Sequence, residues 1–448
     1  MNISQNRLIG ARAVGDGSYQ LVFPGRVLTV GSRAKSIPAA VRWSFLAFVF
    51  TIPFEAADFP FTSGSLSLAR LAAVFFFMAY LFYYNPLSRE RSLPRIPPAL
   101  WWFLGYLAIY ILNGPFGTEE FRMNFVARLV TLIQLMGLFW LASSLLKDEK
   151  LAKNALLIYS VASVVLALGM VLGLPGFSVG ARTVAGATRT TTLEYDPNKL
   201  GISMSIAAVA LIGLSLTGVF KNIIGKALLP VMILPLLIGV VQTGSRTGIA
   251  VFVIGCSAYL LPQLQRMHLQ TRRRLSMVVL AILGLGLMGY VVVSNPDALE
   301  RWKQTYYEGR VGGREKIIDV AVEMILERPI FGWHPGEFSS ELGLRLGIAQ
   351  RGGHNLFLDL LMEVGIVGTI PFLVGLWLCG RASWRARGGN LGYLPVATFL
   401  TVLSGSLANP FLINKIMWVV LALTIAVASA EVKGKGLLLV RRHGRRTA

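Results

Sequence analysis

Cysteine is almost absent: there are two in 448 residues, Cys256 and Cys379. Both fall within long apolar runs, so neither a disulfide framework nor a thiolate metal site is implied. Each reads as a small buried apolar residue. Charge is also scarce, at 15% of residues, against about a quarter in a soluble globular domain. Histidine occurs four times. No Walker loop, H-E-x-x-H run or Cys/His cluster is present. The loops assigned below to the outer side lack a D-x-D-like acid pair. Nucleotide hydrolysis is therefore not expected, nor is a metal or other cofactor. The first ~37 residues hold no long apolar core, so the first membrane helix is expected to act as an uncleaved anchor. No internal repeat or low-complexity segment is visible.

What is abundant is apolar surface. The chain is 54% hydrophobic, with a mean hydropathy of +0.61. Apolar runs of about 20 residues recur along it, as expected for an all-α polytopic membrane protein. They are continuous rather than alternating, which excludes a β-barrel. About twelve spans are expected, at 39–54, 65–84, 98–113, 124–146, 151–174, 198–219, 223–241, 246–261, 275–294, 354–378, 393–407 and 411–430. A basic tail (1–38) precedes spans one to nine (39–294). A large polar loop (295–353) separates these from spans ten to twelve (354–430), and a second basic tail (431–448) follows. Within the first tail, Tyr19 to Phe23 has the pattern of a short strand.

The formal net charge is +21. Its distribution argues against a nucleic-acid partner. Bases gather in both tails and in alternate loops, as with Arg89, Arg91 and Arg95, or Arg272 to Arg274. That is the positive-inside pattern, and a basic inner face also suits anionic membrane lipids. With twelve spans both termini are cytoplasmic. The large loop then faces the opposite, outer side of the membrane.

The large loop has its own order. Ile317, Ala321, Met324 and Ile325 share one helical face, with Glu315, Asp319, Glu323 and Glu327 mostly opposite. This predicts an amphipathic helix over 314–328, ended by Pro329, lying on membrane or protein. A preceding helix is expected over 296–308, where Trp302, Tyr306 and Tyr307 suit an interface.

On the expected outer side stand arginines that the positive-inside rule does not require: Arg182, Arg189, Arg246, Arg310 and Arg314. Guanidinium forks onto phosphate oxygens, and a helix start adds N–H groups and a positive dipole end. Arg246, in Thr243-Gly244-Ser245-Arg246-Thr247-Gly248, is thus a candidate diphosphate contact. The alternative is interfacial snorkelling or pairing with an acid. His354 stands at the outer start of a membrane helix, where a positive helix end disfavours imidazolium. A neutral ring there can act as a general base on a hydroxyl; the alternative is a helix-capping histidine. His334 and Glu337 form an H-x-x-E, too sparse for a metal. His268 and His443 lie in basic segments and read as solvated. Asp196-Pro197-Asn198 reads as a helix start, with Pro in the first turn.

Three blocks, in order, resemble one superfamily. His354-Asn355, nine residues, then Gly365-Ile366-Val367-Gly368 is similar to the H-[NSQ]-x9-G-x-x-G motif of O-antigen ligases. Thr243 to Thr247 resembles the T-G-S-R-[TS] block of the O-antigen ligase and polymerase superfamily. Gly313-Arg314 with Pro329-Ile330-Phe331-Gly332 resembles its G-R…P-x-x-G block. The resemblance implies a GT-C-like membrane glycosyltransferase. The donor would be a polysaccharide on undecaprenyl diphosphate, and the acceptor a sugar hydroxyl of lipid A core. By position it implies His354 as base and Arg246 and Arg314 on the diphosphate. Arg189 is a third candidate, and Arg182, Arg310 and Asn355 are further substrate contacts. The rivals are an O-antigen or exopolysaccharide polymerase, a protein O-oligosaccharyltransferase and, in another class, a transporter. A transporter is expected to show broken helices and ionisable groups near the membrane midplane.

Overall fold

The computed structural model describes residues 10–14, 18–23, 26–30, 37–55, 67–83, 94–114, 122–175, 177, 179–184, 187–193, 196–264, 286, 289–290, 292–294, 296–308, 314–348 and 352–446. The basic N-terminal tail forms a three-stranded antiparallel meander, β1 (Gly10–Val14), β2 (Ser18–Phe23) and β3 (Arg26–Val30). The strand expected at Tyr19 to Phe23 is its central member.

The body is helical. Before the polar loop come α1 (Ala39–Thr51), α2 (Leu68–Tyr83), α3 (Pro98–Asn113), α4 (Arg122–Leu145), α5 (Glu149–Val171), α6 (Pro197–Leu216), α7 (Ile223–Gln242) and α8 (Arg246–Leu264). The polar loop contributes α9 (Pro296–Glu308), α10 (Arg314–Glu327) and α11 (Phe338–Arg345). After it come α12 (Leu356–Arg385), α13 (Leu394–Ser406) and α14 (Lys415–Arg446). Among the described residues, five helices are long and apolar enough to cross a membrane: α4, α5, α6, α7 and α12 with its short 3-10 extension. Six further apolar helices, of 10–17 residues, fall where other spans are expected. The expected ninth span, 275–294, lies largely outside the described residues.

Helix α6 is the axis of the body. It is apolar all round and buried for most of its length, as a core helix must be. Helices α5, α7, α8 and α13 pack around it. Small residues set the closest approach, as is general between membrane helices. A Cβ on Gly248 would lie 3.1 Å from the Gly201 carbonyl carbon. Helix α12 packs on α3 and α14, and α14 packs on α4.

Two expectations need refining. The segment 175–197, expected as a plain polar loop, holds a hairpin of β4 (Val179–Val184) and β5 (Ala187–Thr192). Its Thr-rich, β-branched sequence favours that pairing. The twelfth span begins later than expected, at Lys415, and its helix runs on through the basic tail to Arg446.

The polar loop has its own small core, as its amphipathic pattern requires. Ile317, Ala321 and Met324 of α10 meet Phe338 and Leu342 of α11 and Met362 of α12. Glu315, Asp319, Glu323 and Glu327 remain exposed. Trp333 pins the end of α10, donating from Nε1 to the Met324 carbonyl at 2.8 Å. The guanidinium carbons of Arg328 and Arg345 lie 4.1 and 4.9 Å from its ring centre. Arg345 in turn forks onto Glu327 at 2.6 and 2.7 Å, which holds that exposed carboxyl below its ordinary range.

Candidate active site

The block Thr243 to Gly248 is a helix-to-helix corner in which most residues have a structural task. Thr243 Oγ1 donates to the Val240 carbonyl at 2.6 Å, closing α7. Gly244 takes the left-handed turn (φ +58) that commonly ends a helix. Ser245 opens α8: its Oγ accepts from the Gly248 N–H at 3.1 Å and donates to Asn198 Oδ1 at 3.2 Å. Gly248 admits the α6 backbone. Arg246 stands half-buried at the first position of α8. Glu315, in the first turn of α10, lies within electrostatic reach of it. Arg314, also half-buried, precedes Glu315 directly and opens α10. The structure thus brings the corner of Arg246 to the start of the helix that begins with Arg314.

The start of α6 adjoins the same corner. Asp196 caps it, accepting from the N–H groups of Asn198 and Lys199 at 2.9 and 3.1 Å, with Pro197 in the first turn as expected. Asp196 also accepts from Asn409 Nδ2 at 3.3 Å. Arg182 and Arg189 are direct cross-strand partners in the hairpin. Strand β5 packs on α6 and α9. Arg310 lies outside the described residues.

His354 does not cap a helix. Asn355 does, its Oδ1 accepting from the Phe357 and Leu358 N–H groups at 2.9 and 3.4 Å. His354 stands one residue earlier, half-buried, with φ +51. The left-handed region is sparsely used by residues other than glycine, with His, Asn and Asp enriched among the exceptions. Gly353, just before it, donates its N–H to Asp359 Oδ1 at 2.7 Å.

Ten residues into α12 the helix breaks. Gly365 has φ +60 and ψ −166, a conformation essentially confined to glycine. The polar loop fills the break with backbone. The N–H groups of Ile366 and Val367 donate to the carbonyls of Pro329 and Ile330 at 2.9 and 3.2 Å, and Trp333 N–H donates to the Met362 carbonyl at 2.6 Å. Asn113, at the end of α3, bridges the two. Its Nδ2 donates to the carbonyls of Phe331 (2.7 Å) and Glu363 (3.4 Å). Its Oδ1 lies 2.9 Å from His334 Nδ1, so His334 carries its proton there. Beneath this, Arg128 of α4 donates to buried Glu363 at 3.2 Å.

Sequence patterns missed Asn113, Arg128, Asp359 and Glu363, because each stands within or at the end of an apolar run. Their signal was the rarity of such groups in membrane helices, which makes each a candidate by default. These groups bear on the transporter alternative, since α12 is both broken and furnished with buried acids. The break, however, is closed by protein backbone. Glu363 also lies only ~10 Å along the helix from its start, at 1.5 Å per residue.

Together these features define a polytopic helical membrane protein whose candidate site lies at the starts of α8, α10 and α12, beneath a polar loop plugged into a broken helix. The model of the family described as O-Antigen ligase matches residues 230–373, which include Arg246, Arg314, His354 and both glycine blocks but not Arg182 or Arg189. Over residues 230–373 the chain is thus similar to O-antigen ligases. None of the curated proteins compared with it matches.

Proposed function

We propose that the protein is an O-antigen ligase of the bacterial inner membrane, with its site on the periplasmic face and both termini in the cytoplasm. The family match over residues 230–373 supports ligase or polymerase-type glycosyl transfer in general. The choice of ligase rests on the resemblance of the His354 block. The donor is a polysaccharide on undecaprenyl diphosphate, and the acceptor is a sugar hydroxyl of lipid A core. His354 takes the proton of that hydroxyl as its oxygen attacks the anomeric carbon. The bond from that carbon to the diphosphate oxygen breaks, and the electron pair leaves with undecaprenyl diphosphate. Displacement in one step inverts the anomeric centre. Arg246 and Arg314 hold the diphosphate and stabilise the charge that grows on it, while Arg182, Arg189, Arg310 and Asn355 border the substrates. The energy of the donor makes nucleotide unnecessary, and the reaction is metal-independent.

The observation that carries this reading is the meeting of the Arg246 corner with the first turn of α10, while α10 itself packs on the helix that begins just after His354. Gene deletion tests it against its nearest rivals. Loss of a ligase leaves bare lipid A core, with polymer accumulating on undecaprenyl diphosphate. Core bearing a single repeat would instead mark a polymerase, and unaltered lipopolysaccharide would rule out both. Activity lost on chelation would contradict the metal-free step.

A further inference from the structure

His354 is held by a closed turn of its own chain. The residue carries a strained backbone (φ +51). Such conformations cost about 1–3 kcal/mol and persist only where the surroundings over-determine them. On its C-terminal side the chain is fixed by the Asn355 cap. On its N-terminal side the chain is clamped by a hydrogen bond from Gly353 N–H to Asp359 Oδ1 at 2.7 Å. The backbone N–H of Asp359 makes the first bond of the helix, to the Asn355 carbonyl at 2.9 Å. The carboxylate is 4% exposed, and a carboxylate is seldom so buried unless paired. Arg128 and Lys199 lie within electrostatic reach and offset its charge. The fit is close on the other side too. A Cβ on Gly353 would lie 2.7 Å from Asp359 Oδ1 and 2.9 Å from Met362 Cε. A helix needs no acid at this position, and the cap is already supplied by Asn355.

We infer that Asp359 is a positioning residue: by gripping the Gly353 N–H it fixes the backbone of His354, and so the place of its imidazole, without touching substrate. This rests on the reading of His354 as the general base. A base displaced by about 1 Å can lose on the order of 100-fold in rate, whereas donor affinity resides in the arginines. The bond needs an acceptor oxygen at the δ1 position, and asparagine supplies one.

The test uses full-length protein in lipid nanodiscs, with undecaprenyl-diphosphate-linked glycan as donor and lipid A core as acceptor. Asp359→Ala is expected to lower kcat on the order of 100-fold, with KM for the donor unchanged. Asp359→Asn is expected to restore most of the loss. Gly353→Ala, which disturbs the same bond with the carboxylate kept, is expected to reproduce the kcat-selective loss, and it carries the test if Asp359→Ala does not fold. Wild-type kcat in Asp359→Ala or Gly353→Ala overturns the inference. So does an Asp359→Asn variant as impaired as Asp359→Ala, since charge rather than the hydrogen bond would then matter. His354→Ala is measured beside them. If it is active, the reading of the base fails. If it is inactive while Asp359→Ala is normal, only the positioning role fails.

Discussion

Gly332 of the polar loop and Gly365 of α12 lie against each other with no space for a side chain between them. A Cβ on Gly332 would sit 2.8 Å from the Gly365 nitrogen and 2.5 Å from the Met362 carbonyl oxygen. A Cβ on Gly365 would sit 2.6 Å from the Phe331 nitrogen, with the Ile330 carbonyl closer still. Both glycines have positive φ, +73 and +60. The P-x-x-G and G-x-x-G blocks are therefore two halves of one joint. The first supplies the carbonyls that satisfy the N–H groups freed by the second.

Gly365→Ala is expected to part that joint. Alanine disfavours the required backbone by about 2 kcal/mol before any clash is counted. The expected outcome is a lower thermal midpoint in detergent and faster proteolysis between α10 and α11. Gly347, also at positive φ but with nothing within 4 Å of a Cβ, gives the control: Gly347→Ala carries a positive-φ cost without any clash. Equal midpoints for the two variants would mean that the packing at the joint adds nothing.

The helical body was legible because membrane burial writes itself as long apolar runs. The third span, expected at 98–113, coincides with α3, Pro98–Asn113. The loop helix at 314–328 was legible from its periodicity, and Asp196-Pro197 from capping chemistry. The break at Gly365 was not. One glycine inside an apolar run looks the same whether it eases packing or ends a helix, and the bonds that fill the break join residues about 30 to 40 apart in sequence. The same distance hid Asn113, whose partners Phe331 and His334 stand 218 and 221 positions on. His354 was legible as a candidate, but its position ahead of the cap depends on a backbone angle that sequence does not state.

Arg246 should matter more for donor than for acceptor. The loss of a charged hydrogen-bond donor from a diphosphate is worth about 1.5–3 kcal/mol, or about 10- to 100-fold in binding. Arg246→Ala is expected to raise KM for the lipid-linked donor by that order and to lower kcat, leaving KM for the acceptor near wild type. Arg246→Lys keeps the charge but not the fork, and should fall between the two. A rise confined to the acceptor KM would move Arg246 to the other substrate.

The pair of Arg128 and Glu363 predicts a non-additive cycle. Removing one partner of a buried ion pair costs about 3–5 kcal/mol, and the lower end applies here because the Arg128 side chain is one-quarter exposed (26%). Glu363→Leu alone is expected to reduce the thermal midpoint sharply. The double variant Arg128→Met with Glu363→Leu should recover most of it, because no uncompensated charge remains. Additive losses would show that the two side chains do not stabilise each other.

His334 predicts how the joint responds to acid. Burial is the main reason its pKa lies below the ordinary value of 6.5, with Arg328 acting in the same direction and Glu337 and Asn113 opposing. The folded protein therefore binds this proton less readily than the unfolded chain. Stability is complete above about pH 6.5 and declines as pH falls toward the lowered folded value, since the unfolded state then takes up more protons. Thermal midpoints measured from pH 7.5 down to 5 should drop more steeply for wild type than for His334→Asn. Asparagine tolerates the left-handed backbone at this position (φ +67) and keeps a donor for Asn113 Oδ1, but it does not titrate. If the two proteins have parallel profiles, the acid response of the polar loop lies elsewhere, with Glu327, whose pKa is lowered by its bond to Arg345, as the next group to replace.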